Sequence, residues 1–388
     1  MVELAQDELK NLGKVWLSIF VSFSYSYVIG KITQKGFTRL VAILPVISLF
    51  LILPLNLTSI HFCGLTAFFI SWLANFKLLL FAFGKPPLCF NPPISFPLFL
   101  LVACLPIKIQ HHPPPKNSPN QENNQNPDQK SQKNSYPHNK NSQLQQNNQN
   151  PDQKPQNKSH PSPQKSLWNY LIKFILLSLI IKIYDYSDQI HPKILWLIYF
   201  FHIYFALEIV LAILAKSANF FLGLELEPQF NEPLLSTSLQ DFWGKRWNLM
   251  VTSILRPTVY LPTLDLFNKI VGRKTASLLA IIATFIVSAI MHELIFYYIG
   301  REFPTFEVTW FFLLHGFCLC VEISIKKYGR ERKWWVPPRW LSGFATASFV
   351  IVTGFWLFLP PLLKAGLDSR GLGEYAVAGA FVKRVLDL

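Results

Sequence analysis

Eight runs of apolar residues, each close to the length that crosses a lipid bilayer as a helix, constrain this chain of 388 residues most strongly. A spanning helix needs about 20 apolar residues, and the runs are 15–30, 40–57, 65–83, 167–184, 194–214, 276–299, 308–325 and 341–363. Only 15% of the residues are charged, whereas soluble domains carry about a quarter. We therefore predict an all-α, polytopic integral membrane protein of about eight or nine transmembrane helices.

The formal net charge of +14 does not by itself indicate a nucleic-acid partner. Basic residues between apolar spans are the ordinary mark of cytosolic loops that face anionic lipid. The five cysteines include no C-x-x-C pair, so the sequence signals neither a disulfide framework nor a zinc site. We expect membrane lipid as a partner, no nucleic acid and no metal.

A polar segment, 111–166, divides the chain into two groups of apolar runs. It consists almost entirely of Asn, Gln, Lys, Pro and Ser and repeats the string NNQNPDQK, so it cannot bury enough apolar surface to offset the entropy of ordering. We predict amino-terminal transmembrane helices in 1–110, a disordered linker in 111–166, and a carboxy-terminal transmembrane region in 167–388 that carries the chemistry.

One apolar run contains a polar stripe that ends in a histidine. Thr284, Ser288 and His292 follow each other at intervals of four, which places them on one face of a helix. Ionisable groups at membrane depth are costly and usually face a cavity or a partner. The stripe predicts either a functional histidine or a neutral one that ties two helices together.

A second stripe is formed by His315, Cys318 and Glu322 in the following run. Here we favour a structural role, either a hydrogen bond between helices or a cavity wall. His202 stands alone on its own helical face, and His61 is expected at a membrane interface.

The string SLQDFWGKRWNLM, 238–250, is too polar to span a membrane, and it is predicted to be an interfacial segment that precedes the helix of His292. An aromatic and basic anchor at the membrane surface would account for four of its residues, namely Trp243, Lys245, Arg246 and Trp247. Such an anchor gives no reason for Asp241 or Asn248. The residues alone leave a surface anchor and a functional site equally open.

Two strings together resemble a known family. STSLQDFWGKRWN, followed by SAIMHELIF, is similar to the paired signature of the membrane-bound O-acyltransferases, and specifically of the plant wax synthases, which are long-chain-alcohol O-fatty-acyltransferases. The likeness covers most of 1–110 and 167–388, and it places the family's asparagine on Asn248 and its histidine on His292. Lys245 departs from the arginine expected there, and a lysine lacks the planar fork of a guanidinium.

The resemblance implies an enzyme of the endoplasmic reticulum membrane that uses acyl-CoA as co-substrate, needs no cofactor, and esterifies a long-chain fatty alcohol to a wax ester. His292 would be the general base, because an imidazole titrates near neutrality. Asn248 would hold the thioester or stabilise charge on its carbonyl oxygen. The remaining candidates for the CoA or cavity site are Asp241, Trp243, Lys245, Arg246, Trp247 and Ser288.

Three alternatives stay open at this point. A sterol or diacylglycerol could be the acceptor, since the same base and amide act on any hydroxyl. A transporter could use His292, His315 and Glu322 as a proton or substrate path. A noncatalytic scaffold could bind acyl-CoA without turnover. The sequence does not predict the chain-length preference or the oligomeric state.

Overall fold

The computed structural model describes residues 2–89, 94–105, 167–222, 228–334 and 337–385. The predicted linker, 111–166, lies outside these ranges. Met1–Ile109 and Ser166–Leu388 form one compact unit, so the two predicted groups of helices pack together.

Within the described residues the backbone is helical and contains no strand. The α-helices are α1 (Val2–Ile32), α2 (Phe37–Ile52), α3 (Ile60–Thr66), α4 (Asn75–Ala82), α5 (Phe96–Cys104), α6 (Leu167–Ile183), α7 (Pro192–Leu222), α8 (Leu239–Asp241), α9 (Leu249–Leu255), α10 (Leu261–Gly300), α11 (Glu307–Glu331), α12 (Arg339–Thr353), α13 (Leu359–Lys364) and α14 (Leu367–Val385). Short π-helical segments join several of them, including Ala67–Ala74 between α3 and α4, Phe242–Arg246 after α8, and Gly354–Phe358 before α13.

Seven stretches of the described chain are long and apolar enough to cross a membrane: Gln6–Ile32, Phe37–Asn56, Ile60–Ala82, Pro192–Phe220, Leu249–Gly300, Glu307–Glu331 and Arg339–Lys364. The remaining predicted run, 167–184, coincides with α6, whose 17 residues are at the lower limit for a span. The prediction of an all-α, polytopic membrane protein is confirmed, and the described residues contain seven such spans rather than eight or nine.

Helix α10 carries the stripe of Thr284, Ser288 and His292 and is interrupted at Gly272, where φ is 75° and ψ is 158°. A residue with a β-carbon is strained in that conformation, whereas glycine adopts it readily. The interruption lets the mixed polar and apolar turns before Gly272 take a different direction from the apolar run that contains His292.

Helices α10 and α11 approach each other closely because Gly316 has no side chain. A β-carbon at Gly316 would lie 2.9 Å from Cγ of Phe285, a distance that real contacts do not reach. Inside a membrane, helices associate through packing and hydrogen bonds, since lipid tails are as apolar as leucine, and small residues allow the backbones to approach. Gly316 therefore sets the spacing between the helix of His292 and its neighbour.

Two apolar clusters flank the interfacial segment. The larger one joins α1–α5 to α7, α9 and α10 and includes Trp72 and Met291. The smaller one joins α8 and the following π turn to α10, α11 and α12, and includes Phe285, Phe312 and Val350. Because Trp247 packs against both clusters, the interfacial segment is held firmly between them.

Candidate active site

A cavity of about 700 Å³, here called the central cavity, lies between α3, α7, α9, α10, α11, α12, α13 and α14. Its volume falls within the usual range for small-molecule sites, about 300–1,000 Å³, and its walls are predominantly apolar and aromatic. Its walls have the apolar character that suits an apolar ligand, and its polar side chains mark where chemistry can occur.

His292 lines the central cavity and is held by aromatic rings from three other parts of the chain. Its ring centroid lies 4.4 Å from that of Phe312 on α11, 5.0 Å from Trp72 in the π segment before α4, and 5.7 Å from Phe358 before α13. Packing on several sides restricts rotation of the imidazole. Thr284 and Ser288, from the same stripe, also line the cavity.

A single hydrogen bond determines which imidazole nitrogen of His292 carries the proton. Nδ1 lies 2.7 Å from the carbonyl oxygen of Ser288, and a carbonyl can only accept. Nδ1 is therefore the donor, and the lone pair of the neutral ring is on Nε2. No described residue forms a hydrogen bond to Nε2, so this atom can accept a proton from a group in the cavity. Ser288 orients the ring through its carbonyl oxygen, not its hydroxyl.

Asn248 lines the same cavity from the N-cap position, immediately before α9. Its backbone is left-handed, with φ 41° and ψ 65°, a conformation that asparagine tolerates better than most residues. Oδ1 caps the helix by accepting a hydrogen bond from the Val251 amide at 3.3 Å. No described residue accepts a hydrogen bond from Nδ2, so the amide can donate to a bound molecule.

Glu322 on α11 anchors the interfacial segment. Its carboxylate accepts hydrogen bonds from the backbone amides of Leu239 at 2.8 Å and of Gln240 at 3.2 Å, at the start of α8. A carboxylate at a helix start satisfies amides that have no partner within the helix. The predicted second stripe thus fixes the segment that carries Asn248.

His315 also holds this segment and is fully buried. Its Nδ1 accepts a hydrogen bond at 3.2 Å from Nε1 of Trp243, which can only donate, and its Nε2 lies 2.8 Å from Oγ1 of Thr353. Since the Thr353 hydroxyl donates to the carbonyl of Phe349, Nε2 of His315 is the donor to Thr353. Both ring nitrogens are therefore bound to protein groups, as the structural interpretation of this histidine expected.

Asp241 and Arg246 form an ion pair, with Nε of Arg246 2.8 Å from Oδ2 of Asp241. Nη1 of Arg246 also donates to the carbonyls of Asn231 and Glu232, at 3.1 and 3.2 Å. Both charged residues line a second cavity of about 640 Å³, next to Arg339. They close the loop that leads into the π turn before Trp247.

The structure divides the predicted site residues into two sets. The first set lines the central cavity and comprises Trp243, Trp247, Asn248, Ser288 and His292. The second set does not line it and comprises Asp241 and Arg246, which form the ion pair, and Lys245, which is exposed to solvent. Arg256, one further cation, is exposed and does line the cavity, with its guanidinium 5.8 Å from the ring centroid of Tyr260.

A group of polar side chains that the sequence did not connect lies at another part of the central cavity, and all of them except Glu374 line it. His61 bonds to Oε2 of Glu374 through Nδ1, at 2.6 Å, and to the Tyr375 hydroxyl through Nε2, at 3.1 Å. His202 bonds to the same hydroxyl through Nε2, at 3.0 Å, and to the Tyr184 hydroxyl through Nδ1, at 2.8 Å. We call these five residues the tyrosine–histidine cluster. Its members come from distant parts of the chain, so helical periodicity gives no signal for it.

A family model and several nearly full-length relatives show what this chain is similar to. Residues 226–314, which include Asn248 and His292, match the model of the membrane bound O-acyl transferase family. The chain is 45% identical to acyl-CoA–sterol O-acyltransferase 1 of Arabidopsis thaliana, with 96% of each chain covered. It is 39% identical to probable long-chain-alcohol O-fatty-acyltransferase 1 of the same plant, over 95% of this chain and 96% of that one. It is 38% identical to the long-chain-alcohol O-fatty-acyltransferase of Simmondsia chinensis, over 98% and 97%.

Proposed function

Because the chain belongs to the membrane bound O-acyl transferase family and is an O-acyltransferase, we propose that it transfers a fatty acyl group from acyl-CoA to a long-chain alcohol, forming a wax ester. The observation that carries this proposal is the meeting of two groups in one apolar cavity: an imidazole with an open Nε2 lone pair on His292, and an amide donor on Asn248. The endoplasmic reticulum membrane is the proposed location.

The reaction requires one proton acceptor and one donor to the carbonyl oxygen. The alcohol oxygen attacks the thioester carbon while Nε2 of His292 takes the hydroxyl proton, and the carbon–sulfur bond then breaks. The imidazolium returns this proton to the sulfur of the leaving thiolate, so the ester and free CoA are the products. Nδ2 of Asn248 donates a hydrogen bond to the carbonyl oxygen as negative charge develops on it. The thioester is already activated, so the step needs no cofactor.

Direct attack by the alcohol is favoured over an acyl-enzyme. No cysteine among the described residues lines the central cavity. Ser288 does line it, but its carbonyl, not its hydroxyl, is the partner of His292. A serine nucleophile needs a base within hydrogen-bond reach of its hydroxyl, and this geometry does not supply one.

Cations near Asn248 are proposed to bind the phosphates of CoA. Arg256 is exposed at the edge of the central cavity, and Lys245 is exposed in the interfacial segment. Both can meet a soluble head group while the acyl chain enters the cavity. Asp241 and Arg246 belong to the same proposal from the sequence, but their mutual ion pair supports a structural contribution first.

A substitution in the Asp241–Arg246 pair tests whether the pair binds CoA or stabilises the fold. We expect Asp241→Asn to lower the free energy of unfolding by about 1 kcal/mol, because the partly buried pair is weakened. Turnover per folded molecule should fall less than about tenfold, and KM for acyl-CoA should stay unchanged. The measurements are thermal unfolding in detergent and initial rates at varied acyl-CoA. A KM raised at least tenfold with unchanged unfolding would instead make the pair a CoA-binding element.

A sterol is the second candidate acceptor, because a relative named for that activity is 45% identical to this chain. The test is expression in a yeast that lacks neutral-lipid synthesis, followed by incubation of its microsomes with labelled acyl-CoA. Long-chain primary alcohol, sterol and diacylglycerol are supplied at matched concentrations. We expect the alcohol ester to dominate by at least about tenfold, a discrimination of 1.4 kcal/mol. Dominance of the sterol ester would overturn the wax assignment while leaving the O-acyltransferase chemistry intact.

A further inference from the structure

The tyrosine–histidine cluster lies at the end of the central cavity remote from His292. His61 and Trp72 both line the cavity, and they are eleven residues apart on one continuous helical stretch, Ile60–Ala82. At about 1.5 Å per residue this separates them by roughly 15 Å. Trp72 packs against the His292 ring, so the cluster is separated from the proposed base by roughly 15 Å along this helical stretch. Ile299, seven residues beyond His292, approaches Gly64 near this end.

The hydrogen bonds of the cluster have one direction when both imidazoles are neutral. The Glu374 carboxylate accepts from the Ser59 hydroxyl, from the amides of Ile60 and His61, and from Nδ1 of His61. Burial raises the pKa of the Glu374 carboxyl, but these hydrogen bonds outweigh burial and hold the pKa below its usual range. Glu374 is therefore an acceptor, which makes Nδ1 of His61 a donor and Nε2 of His61 an acceptor.

The neutral imidazoles also determine the hydrogen-bond directions at the far end of the cluster. The Tyr375 hydroxyl donates to Nε2 of His61 and accepts from Nε2 of His202, so Nδ1 of His202 is an acceptor. The Tyr184 hydroxyl donates to that nitrogen. No described residue donates to the Tyr184 oxygen. The cluster thus presents oxygen lone pairs, on Tyr184 and Tyr375, to a cavity whose other walls are mainly apolar.

We propose that Tyr184 and Tyr375 form a second hydroxyl-binding site, which selects lipid chains that carry a hydroxyl at the end remote from the reacting group. The ligand is either a terminal diol as acceptor or an ω-hydroxyacyl chain on CoA. A free oxygen lone pair can accept a hydrogen bond from a hydroxyl group. It forms no hydrogen bond with an ester or thioester carbonyl, because such a carbonyl can also only accept. This inference rests on the proposed function, because the reacting end of the chain must lie at His292.

The test compares substrates of equal chain length with the full-length protein in microsomes. One arm measures KM for a terminal diol against the primary alcohol, and the other measures KM for ω-hydroxyacyl-CoA against the unsubstituted acyl-CoA. We expect about a three- to tenfold lower KM for the hydroxylated member of one pair, the effect of one net hydrogen bond. Whichever arm shows the difference identifies the source of the bound hydroxyl. Equal KM values in both arms would overturn the proposal.

Three substitutions then locate the site. Tyr184→Phe should abolish the preference, so that KM for the hydroxylated substrate rises to the value for the unsubstituted one. Tyr199→Phe is the matched control: Tyr199 also lines the cavity, with its ring 5.3 Å from that of Tyr184, but it is outside the cluster, so its loss should leave the preference intact. A preference that survives Tyr184→Phe and Tyr375→Phe together would overturn the assignment. Absence of ester from the unsubstituted alcohol and acyl-CoA would instead refute the proposed function, and this inference with it.

Discussion

Replacement of His292 by glutamine should lower the rate of ester formation by about 10²–10⁴, the usual contribution of a positioned general base. Glutamine keeps a polar group near the Ser288 carbonyl and fills much of the space between Trp72 and Phe312, so the fold should survive. It offers no nitrogen lone pair of comparable basicity at the position of Nε2. The measurement is the initial rate of transfer from labelled acyl-CoA in microsomes, normalised to the amount of folded protein.

His315→Gln is the matched control for this experiment. The residue is a histidine on the neighbouring helix, but both of its nitrogens are bound to Trp243 and Thr353, and it does not line the central cavity. We expect reduced thermal stability with at most about a tenfold loss of turnover per folded molecule. Comparable losses in the two variants would show that the His292 effect comes from helix packing and not from proton transfer.

Chemical rescue gives an independent readout of the same role. His292→Ala leaves a void lined by Trp72, Phe312 and Phe358 and open to the central cavity. Added imidazole should restore part of the lost turnover in this variant, and should have no effect on the protein with His292 intact. A role in packing alone predicts no dependence of the residual rate on imidazole basicity.

The fold was predictable because bilayer thickness is a strong constraint on helix length. Each of the eight apolar runs is helical, since every backbone amide in a membrane must be satisfied within its own helix. The break at Gly272 was not predicted, because an isolated glycine in a helical pattern is usually tolerated without leaving the helix. Which faces of the helices meet depends on small residues such as Gly316, and one sequence does not show their partners.

The candidate site was predictable only in part. The stripe of Thr284, Ser288 and His292 has a period of four, so a common face follows from helix geometry alone. The aromatic rings around the imidazole come from residues far away in the chain, and no local pattern connects them to it. Ser288 was a candidate residue of the CoA or cavity site, but the pattern did not show that its backbone carbonyl would contact the His292 ring.

Most of the site features that the sequence did not predict are polar contacts between residues far apart in the chain. His202 has no polar neighbour on its own helical face, yet it is bound to Tyr184 and Tyr375 from two other elements. Asp241 and Arg246 were noticed as unusual charges in an apolar context, but their spacing does not reveal that they bind each other. A surface anchor accounts for Arg246 but not for Asp241, whereas the ion pair, which only the three-dimensional arrangement shows, accounts for both.

Asn248→Asp should lower ester formation by about 10²–10³, the typical cost of losing one donor to a developing oxyanion. Aspartate is as good a helix cap as asparagine and tolerates the left-handed backbone at this position, so α9 should begin at the same residue. The substitution removes both amide hydrogens and adds a negative charge beside the carbonyl that must become negative. Thermal unfolding should change by less than about 1 kcal/mol, while the rate with saturating acyl-CoA falls.

Asn248→Gly separates three contributions of this residue: its left-handed backbone, its cap on α9, and its hydrogen-bond donor to the cavity. Glycine keeps the left-handed backbone without strain and adds no charge, but it removes the cap to Val251 and the amide donor together. Glycine caps helices only a few tenths of a kcal/mol less well than asparagine, so stability should be nearly unchanged. If the hydrogen-bond donor is what matters, the aspartate and glycine variants should both lose about 10²–10³ in the rate of ester formation, although only the aspartate variant is charged. An aspartate variant that retains more than about a tenth of the original rate would leave Asn248 with a purely structural role, and the developing oxyanion would then need a donor from another wall of the central cavity.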